Sequence, residues 1–518
     1  MEFSLLTRLV KLDLSKDYYF DGIPRIQIEN PNLVTLFHNL SGLTELYLDG
    51  VNISANGHEW GQAISSSLPN LRVLSLSGCL LSGPIDSSLQ NLQYLSEINL
   101  AQNNFSSPVP DFLANFPNLT VLTMQQIWLS RNQFSEISEF LPNKSMSTLD
   151  TLDLSQNKLR GPIPSYFFDF QSLSYLSLSF NNFSGTVQLE SIHRLQNLTL
   201  LELSHNSLLV NASISYSSLS SFPQLQWLGL ASCKLQKFPP LMNQSLFYLD
   251  LSNNQISGVI PNWIWNIGNG SLNNFNLSCN LLVGLQRGYV IPPLQVLVLH
   301  SNQLCDNKLS GPIPPSICNG SNLDVLNLSN NRFSGTIPPC LIGTGVVTIR
   351  VLNLQNNNLT GNITGTFPKC CALRTLDLSE NLLEGHVPKS LANCANAEVL
   401  NLGINNIYGT FPCFLANLSR LRVLVLRSNK FQGNISCRGI HNNIWPNLQI
   451  IDLALNNFSG ILPPKFFLQR KGMMDGTNAK SGNKGLWGAP LTPCCKEVEP
   501  TTPTVDGRQS NTDEDGIN

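Results

Sequence analysis

The stretch Leu149–Pro164, LDTLDLSQNKLRGPIP, decides the fold, because the same order of residue types returns along most of the chain. Leu373–Pro388, LRTLDLSENLLEGHVP, keeps the leucines, the asparagine, the glycine and the final proline in the same places. In each copy two leucines flank one polar residue, and this alternation predicts a short strand with one apolar face. The shared frame is L-x-x-L-x-L-x-x-N-x-L-x-G-x-I-P.

Copies of this frame recur about 18 times, most often 24 residues apart. They begin at residues 9, 43, 71, 95, 119, 149, 173, 198, 225, 246, 272, 294, 323, 349, 373, 397, 421 and 448. One such strand cannot bury its apolar side alone, but stacked copies form a parallel sheet and a continuous core. The pattern is typical of leucine-rich repeats. We therefore predict an α/β-type leucine-rich-repeat solenoid, with mostly short parallel strands on the concave face and little helix.

The asparagine of the frame is predicted to stack on its counterparts in neighbouring repeats and form a ladder. Its side-chain amide can satisfy backbone groups where the chain turns inward, and burial without those hydrogen bonds would be costly. Cys79 and Cys233 take this position in two repeats, where we expect a structural role rather than a reactive one. The predicted ladder residues are Asn157, Asn181, Asn206, Asn254, Asn331, Asn381, Asn429 and Asn456.

The G-x-I-P half of the frame predicts an edge strand followed by a 3-10 or irregular segment. Glycine permits the turn, while proline fixes φ and removes a backbone donor. This half resembles the LxGxIP repeats of plant extracellular proteins.

The frame divides the chain into four parts. We assign residues 1–467 to the solenoid, with irregular junctions near residues 125–148 and 302–312, where two half-repeats run together. Residues 468–481 form a junction without repeats, and residues 482–495 read as a remnant C-terminal cap. Residues 496–518 are acidic and rich in Pro and Thr, which predicts a disordered tail.

The composition excludes some classes of partner. Charged residues make up 12% of the chain and the formal net charge is −2, so a nucleic-acid partner is not expected. No apolar stretch is long enough to span a membrane, and the first residues do not form a signal peptide. The 13 cysteines are an odd number. Cys371 and Cys394 fall in neighbouring repeats, where a disulfide and two buried thiols are equally compatible with the spacing.

No catalytic constellation is present in the sequence. The seven histidines are scattered, and there is no C-x-x-C pair, no phosphate-loop pattern and no G-x-S-x-G motif. The aspartates of the L-D-L slot are expected to line a solvated sheet face rather than to perform acid–base chemistry; they are Asp13, Asp153, Asp250, Asp377 and Asp452. We predict that the chain is not an enzyme and has no metal site and no cofactor.

The concave face is where we expect a ligand to bind, because aromatic side chains and Arg are the usual anchors of binding surfaces. Trp227 and Tyr248 fall in neighbouring repeats, as do Arg350 and Arg374. The candidate ligand-binding residues are Tyr175, Trp227, Tyr248, Arg350, Arg374, Arg422 and Arg427.

The chain carries 18 N-x-S/T sequons, which favours passage through the secretory pathway. Asn276 and Asn327 are predicted to lie in strands of the concave face, where a glycan would block binding. The candidate glycosylation sites are Asn39, Asn104, Asn118, Asn182, Asn197, Asn358, Asn417 and Asn457.

Several stretches of the chain resemble plant receptor-like proteins, most closely the Ve-type group associated with resistance to vascular wilt fungi, and the non-repeat phrases QKFP and PNWIW make the closer match. The stretches include LTELYLDGVNIS from Leu43, FPQLQWLGLASCKLQKFP from Phe222 and LDLSNNQISGVIPNWIW from Leu249. The stretch GNKGLWGAPLTPCC, Gly482–Cys495, resembles the family's C-terminal cap, with Trp487 where the family has Cys.

The resemblance implies a layout and a function. Proteins of this family have a signal peptide, an N-terminal cap, repeats interrupted by an island, a C-terminal cap, an acidic segment and one membrane span. We therefore expect the chain to be truncated at both ends and internally. The resemblance implies an ectodomain at the plasma membrane that senses an extracellular protein or peptide ligand in plant defence. Such an ectodomain would signal through a receptor kinase co-receptor.

Two other functions fit the same repeats. A secreted inhibitor of a microbial wall-degrading enzyme shares this repeat subtype, although such inhibitors have about ten repeats. A receptor for an endogenous developmental peptide is the other alternative.

Overall fold

The computed structural model describes residues 6–16, 26–28, 33–53, 57–114, 125–137, 149–213, 223–242, 244–286, 291–300, 308–319, 322–343, 348–363, 365–435, 437 and 445–460. The junction at 468–481, the cap at 482–495 with Trp487, and the tail at 496–518 lie outside these residues, as does most of the junction at 302–312.

The main structural element of the molecule is an 18-stranded parallel sheet, to which each repeat contributes one short strand. This confirms the solenoid predicted from the frame. The strands are Lys11–Asp13, Glu45–Tyr47, Val73–Ser75, Glu97–Asn99, Gln125–Trp128, Leu149–Asp153, Tyr175–Ser177, Leu200–Glu202, Trp227–Gly229, Tyr248–Asp250, Asn274–Asn276, Val296–Val298, Val325–Asn327, Val351–Asn353, Thr375–Asp377, Val399–Asn401, Val423–Val425 and Ile450–Asp452.

Neighbouring strands pair in register, so equivalent residues of the frame stack in columns. Leu176 pairs with Leu201, and Leu201 pairs with Leu228. All three side chains are fully buried. Because burial of a leucine is worth about 1.5–3 kcal/mol, this column is a main source of stability. The residues between the leucines point to the opposite, concave side of the sheet.

The second half of most repeats forms a flank strand, as the G-x-I-P segment predicts. These strands are Ser82–Gly83, Asn104–Val109, Gln133–Ile137, Arg160–Pro162, Asn182–Ser184, Thr186–Gln188, Leu209–Asn211, Ser257–Ile260, Leu281–Leu285, Ser310–Pro312, Arg332–Gly335, Asn358–Asn362, Leu382–Gly385, Asn406–Gly409, Lys430–Asn434 and Asn457–Ser459. Gly161, at φ +79°, shows the left-handed turn that glycine permits within such a strand.

Short 3-10 helices follow many of the flank strands and return the chain to the sheet. They are Ser87–Asn91, Asp111–Ala114, Ser165–Asp169, Leu189–Arg194, Asn262–Gly270, Pro315–Asn319, Pro339–Leu341, Lys389–Asn393 and Cys413–Asn417. Among the described residues the only α-helices are Leu33–Phe37 and Gly57–Ser67, which agrees with the low helix content expected from the repeat.

The asparagine ladder is present, and each amide ties one repeat to the previous one. Asn181 donates to the carbonyl oxygens of Leu154 at 2.9 Å and Leu178 at 3.1 Å, and accepts from the Leu159 N–H at 3.0 Å. The ladder also includes residues beyond those predicted: Asn103, Asn132, Asn280, Asn357 and Asn405.

Cys79 and Cys233 replace the asparagine in two repeats, as predicted. Their sulfur atoms lie 3.0 Å from the Leu48 carbonyl oxygen and 3.7 Å from the Leu203 carbonyl oxygen. Both side chains are fully buried. Burial raises the pKa of the Cys233 thiol to about 12, which is consistent with a structural role.

The strand of the fifth repeat is displaced from the position that the sequence indicates. A repeat starting at residue 119 would place its strand before residue 125, but the strand is Gln125–Trp128. The reason lies in the ladder. The frame from residue 119 puts Ile127 in the asparagine slot, whereas the observed strand puts Asn132 there, hydrogen-bonded to the Leu100 carbonyl oxygen at 2.9 Å. Of the two half-repeats that run together here, the second therefore supplies the strand and the ladder asparagine.

Among the described residues, three disulfides link consecutive repeats in the later part of the solenoid. Cys371 pairs with Cys394, which decides between the two alternatives left open by the spacing. Cys318–Cys340 and Cys413–Cys437 were not anticipated. The three pairs are 22 to 24 residues apart, about one repeat.

Candidate ligand-binding face

The concave sheet face holds a stacked aromatic pair near its middle. Trp227 and Tyr248 are the first residues of neighbouring strands and pair directly in the sheet. Their ring centroids lie 3.7 Å apart and the ring planes are inclined by 8°. Both side chains are half-buried. The structure thus brings together the aromatic pair predicted from the sequence.

Glu202 lies beside this pair, in the preceding strand, and is a site residue that sequence reasoning missed. Its Oε1 accepts a hydrogen bond from the Trp227 indole N–H at 3.1 Å. A Cβ atom built on Gly229 would lie 1.4 Å from the same oxygen. The carboxylate therefore occupies the space that a side chain at position 229 would take. The signal in the sequence is LGL at 228–230, where other repeats have LDL or LSL.

The electrostatics of this region are dominated by burial of acidic and phenolic groups. Burial raises the pKa of the Glu202 carboxyl to about 7, and the nearby Asp250 carboxylate acts in the same direction. Hydrogen bonds from Trp227 and Ser204 act against this rise. Burial, followed by the Asp250 and Glu202 carboxylates, also raises the pKa of the Tyr248 phenol.

Tyr175 extends the aromatic surface toward the N-terminal side. Its ring centroid lies 5.2 Å from that of Trp128, which the sequence analysis did not select because it belongs to the displaced strand. Burial, with the charges of Asp153 and Glu202, raises the pKa of the Tyr175 phenol to about 12. Tyr175 pairs with Leu200 and Leu200 pairs with Trp227, so one strand separates the tyrosine from the stacked pair.

The aspartates of the L-D-L slot form local hydrogen bonds with the turn that follows each strand. Each accepts a hydrogen bond from the backbone N–H two residues later; the donors to Asp13, Asp153, Asp250, Asp377 and Asp452 are Ser15, Ser155, Ser252, Ser379 and Ala454. Asparagines use the same contact in other repeats, as at Asn276 with Ser278. The residue type in this slot is therefore explained by a local turn.

Three of the predicted arginines, Arg350, Arg374 and Arg422, directly precede strands of later repeats, whereas Arg427 follows the strand Val423–Val425. The backbone N–H of Arg374 donates to the Arg350 carbonyl oxygen, so these two are adjacent. Arg350 forms a bidentate ion pair with Asp324. Its guanidinium holds the pKa of the Asp324 carboxyl below its ordinary value. Arg374 lies 4.0 Å from the Glu398 carboxylate.

The remaining two arginines are also engaged. Arg422 donates to the Gln449 side-chain oxygen at 3.0 Å, and Arg427 lies 3.4 Å from the Asp452 carboxylate. All four candidate arginines therefore have partners within the concave face, and an external ligand would compete with those partners.

The predicted glycosylation sites that the structure describes are exposed. Asn104, Asn182, Asn358 and Asn457 begin flank strands, Asn39 and Asn197 lie on turns that lead into the concave sheet, and Asn417 ends the 3-10 helix Cys413–Asn417. Asn118 lies outside the described residues. Asn276 and Asn327 end strands of the concave sheet, as predicted.

Within the described ranges, no group of three or more His, Cys, Asp or Glu side chains is arranged to hold a metal ion. Nor does any helix in that part of the chain have the length and apolar character needed to cross a membrane.

Comparison with known families identifies the repeats. One leucine-rich-repeat family model matches residues 347–407. A second matches residues 70–92, 148–170, 245–267 and 322–343. The chain is a leucine-rich-repeat protein.

The sequence relatives of this leucine-rich-repeat protein are plant receptor-like proteins of Arabidopsis thaliana. Receptor like protein 24 is 34% identical over 239 residues, which cover 42% of this chain and 26% of the relative. Receptor-like protein 54 is 32% identical over 355 residues, which cover 57% of this chain and 44% of the relative. The chain thus matches less than half of the length of either relative. Neither of these two relatives tests the resemblance to the Ve-type group, so membership of that group stays a prediction.

Solved plant ectodomains have the same fold. The ectodomain of the receptor kinase GASSHO1/SCHENGEN3 from Arabidopsis thaliana, in complex with CASPARIAN STRIP INTEGRITY FACTOR 2, superposes with a TM-score of 0.62 at 25% identity. The match covers 89% of this chain and 57% of that chain. The PEPR1–AtPEP1 complex gives a TM-score of 0.60 at 25% identity and covers 91% and 68%.

Proposed function

We propose that this leucine-rich-repeat protein is the ligand-binding ectodomain of a plant receptor-like protein in defence and innate immunity. It binds an extracellular, pathogen-derived protein or peptide through its concave face and contributes to disease resistance. The ligand contacts Tyr175, Trp227 and Tyr248, with the arginine column from Arg350 onward as a second contact region. The protein acts by binding and carries out no catalysis.

The observation that carries this proposal is the half-buried aromatic pair on the open sheet face. Trp227 and Tyr248 stack at 3.7 Å, and both side chains remain partly exposed. Aromatic side chains in such positions are frequent binding hot spots. The likeness to plant ectodomains that were solved as complexes supports the same interpretation.

Two features support an extracellular location at the plasma membrane. Cys318–Cys340, Cys371–Cys394 and Cys413–Cys437 are disulfides, which persist in oxidising compartments. The exposed sequons are compatible with a glycoprotein. Signal transduction through a receptor kinase partner is part of the proposal, by analogy with the receptor-like relatives.

Binding and response together test the proposal. The full chain, secreted from plant cells, is immobilised and exposed to fractions of fungal culture filtrate, to endogenous growth peptides and to microbial wall-degrading enzymes. We expect saturable binding to a filtrate component, weakened at least about tenfold by Trp227→Ala or Tyr248→Ala. Tyr94→Ala removes an exposed aromatic outside the concave sheet and is the matched control.

The defence role is tested in leaf tissue that expresses the chain. The binding fraction should elicit a reactive-oxygen burst that Trp227→Ala abolishes and Tyr94→Ala does not. Binding only to growth peptides would favour the developmental alternative. Inhibition of a wall-degrading enzyme without a leaf response would favour the inhibitor alternative.

A further inference from the structure

We propose that Trp227, Tyr248 and Glu202 form a subsite for the guanidinium group of an arginine in a peptide ligand. This inference rests on the proposed function, because it assumes that the concave face binds an extracellular ligand. It names the chemistry that this part of the face recognises.

The first argument is the shape of the subsite. The Glu202 carboxylate lies over the backbone of Gly229, where the absence of a side chain leaves room for it. Trp227 donates to it from one side, and the ring of Tyr248 lies parallel to the indole in the next strand. A carboxylate beside flat aromatic faces suits a guanidinium, which stacks on aromatic rings and donates hydrogen bonds in its own plane.

The second argument is charge complementarity. The eight concave strands from Leu149–Asp153 to Val325–Asn327 contain Asp150, Asp153, Glu202 and Asp250, but neither Lys nor Arg. Two acids further along the chain do have a cationic partner, because Asp324 pairs with Arg350 and Asp452 pairs with Arg427. Asp153 and Asp250 are hydrogen-bonded to the turns that follow them, whereas Glu202 has the neutral partners Trp227 and Ser204. In the middle of the concave face, Glu202 is therefore the acid, next to aromatic rings, that a cation would complement.

The third argument concerns what a cation would do to Glu202. Burial already raises the pKa of this carboxyl to about 7, so both its protonated and its ionised forms are populated near neutral pH. A bound guanidinium would favour the ionised form and release a proton. The other titratable groups facing Glu202 are Tyr175 and Asp153 on one side, Tyr248, Asp250 and Cys233 on the other, and His205 in its own repeat. Binding of a cation should therefore weaken as the pH falls below about 7.

Glu202→Gln separates this role from a purely structural one. Glutamine keeps an oxygen that can accept the Trp227 N–H and has nearly the same shape, but it cannot carry the charge. Gly229→Ala is the second variant, because the added Cβ displaces the carboxylate without altering its chemistry. Glu384→Gln, on an exposed flank strand, is the matched control.

The probe is a phage-displayed library of random linear peptides, selected on the secreted full chain. We expect selected peptides to be enriched in Arg. The best of them should lose at least about tenfold in affinity when that Arg is replaced by Gln, and a similar factor on the Glu202→Gln chain. The affinity of the unmodified chain should fall between about pH 8 and pH 5.5, and that of Glu202→Gln should not. Circular dichroism checks that each variant folds.

The outcomes distinguish the two proposals. Peptides that bind without Arg enrichment, or equally well to the Glu202→Gln chain, overturn the guanidinium subsite and leave the concave binding face intact. If no peptide or filtrate component binds the concave face at all, the proposed function falls, and the subsite with it.

Discussion

A single buried side chain decides how each repeat joins the next. Asn254 donates to the carbonyl oxygens of Leu230 and Leu251, and accepts from the N–H groups of Cys233 and Leu235. A leucine-rich frame without this residue would leave several backbone groups buried and unpaired. The asparagine is therefore as important to the fold as the leucines that surround it.

Asn254→Ala should be strongly destabilising for this reason. Loss of the amide leaves buried donors and acceptors without partners, at a cost of roughly 3 kcal/mol in the free energy of unfolding. Chemical denaturation followed by circular dichroism measures the change. The neighbouring Gln255→Ala is exposed and should alter stability by less than about 0.5 kcal/mol. Equal effects of the two substitutions would contradict this account of the ladder.

Glu202 should make stability depend on pH in an unusual direction. Its pKa of about 7 in the folded chain lies above the value for an unfolded chain, so the folded state holds the proton more tightly. The stabilisation is present at low pH and is lost as the pH rises through about 7. Between about pH 5 and pH 8, the unmodified chain should lose roughly 2 kcal/mol relative to Glu202→Gln. A constant difference between the two denaturation curves would rule out the raised pKa.

At this scale the sequence predicts repeated contacts better than single ones. The ladder positions follow from the frame, and so do Trp227 and Tyr248 as neighbours. The position of Glu202 does not follow, because it depends on a side chain that is absent 27 residues later, at Gly229. A gap in one repeat decides the geometry of a residue in another.

Among the elements, the disulfides distinguish the later repeats from the earlier ones. Cys371–Cys394 closes a loop of 23 residues between consecutive repeats. By the chain-entropy argument, a loop of this length is worth roughly 3 kcal/mol. The earlier repeats carry Cys79, Cys233 and Cys279 as buried thiols instead.

Cys371→Ser should therefore lower the thermal midpoint of the later repeats, whereas Cys370→Ser should not. Cys370 is adjacent in sequence, exposed and outside any disulfide, which makes it a matched control. Hydrogen exchange read by mass spectrometry locates the change. Faster exchange should be confined to the repeats around residues 371–394, because each repeat contacts only its neighbours. Uniform acceleration along the chain would contradict the local effect.

The displaced strand at Gln125–Trp128 shows where the sequence pattern does not predict the boundaries of an element. Two half-repeats overlap here, and both contain apolar residues at the spacing of a strand. Only the second supplies an asparagine, Asn132, at the correct distance. A ladder requirement applied before the leucine pattern would have selected the correct strand.

Over the whole molecule, glycans should mark the flanks and spare the middle of the concave face. Exposed Asn104, Asn182 and Asn358 begin flank strands and should be glycosylated in a secreted chain. The Asn276 amide donates to the Asp250 carboxylate at 3.2 Å within the sheet and should be modified little or not at all. Glycopeptide mass spectrometry measures the occupancy of each site. High occupancy at Asn276 would contradict the proposed use of the neighbouring face.

The global fold was predictable because 18 imperfect copies of one frame reinforce one another, so an error in one repeat does not change the architecture. The side of the sheet on which the residues between the leucines lie also follows from strand alternation. The ligand does not follow, since it depends on which polar or aromatic residue each repeat happens to place between its leucines.

The in-register sheet also acts as a ruler. Four pairing steps separate the strand Tyr248–Asp250 from the strand Val351–Asn353. At about 4.8 Å per step, the aromatic pair and Arg350 are roughly 19 Å apart along the face. An extended peptide covers about 3.3 Å per residue, so a ligand touching both must be at least about six residues long. A shorter peptide would have to bridge part of this distance with its side chains.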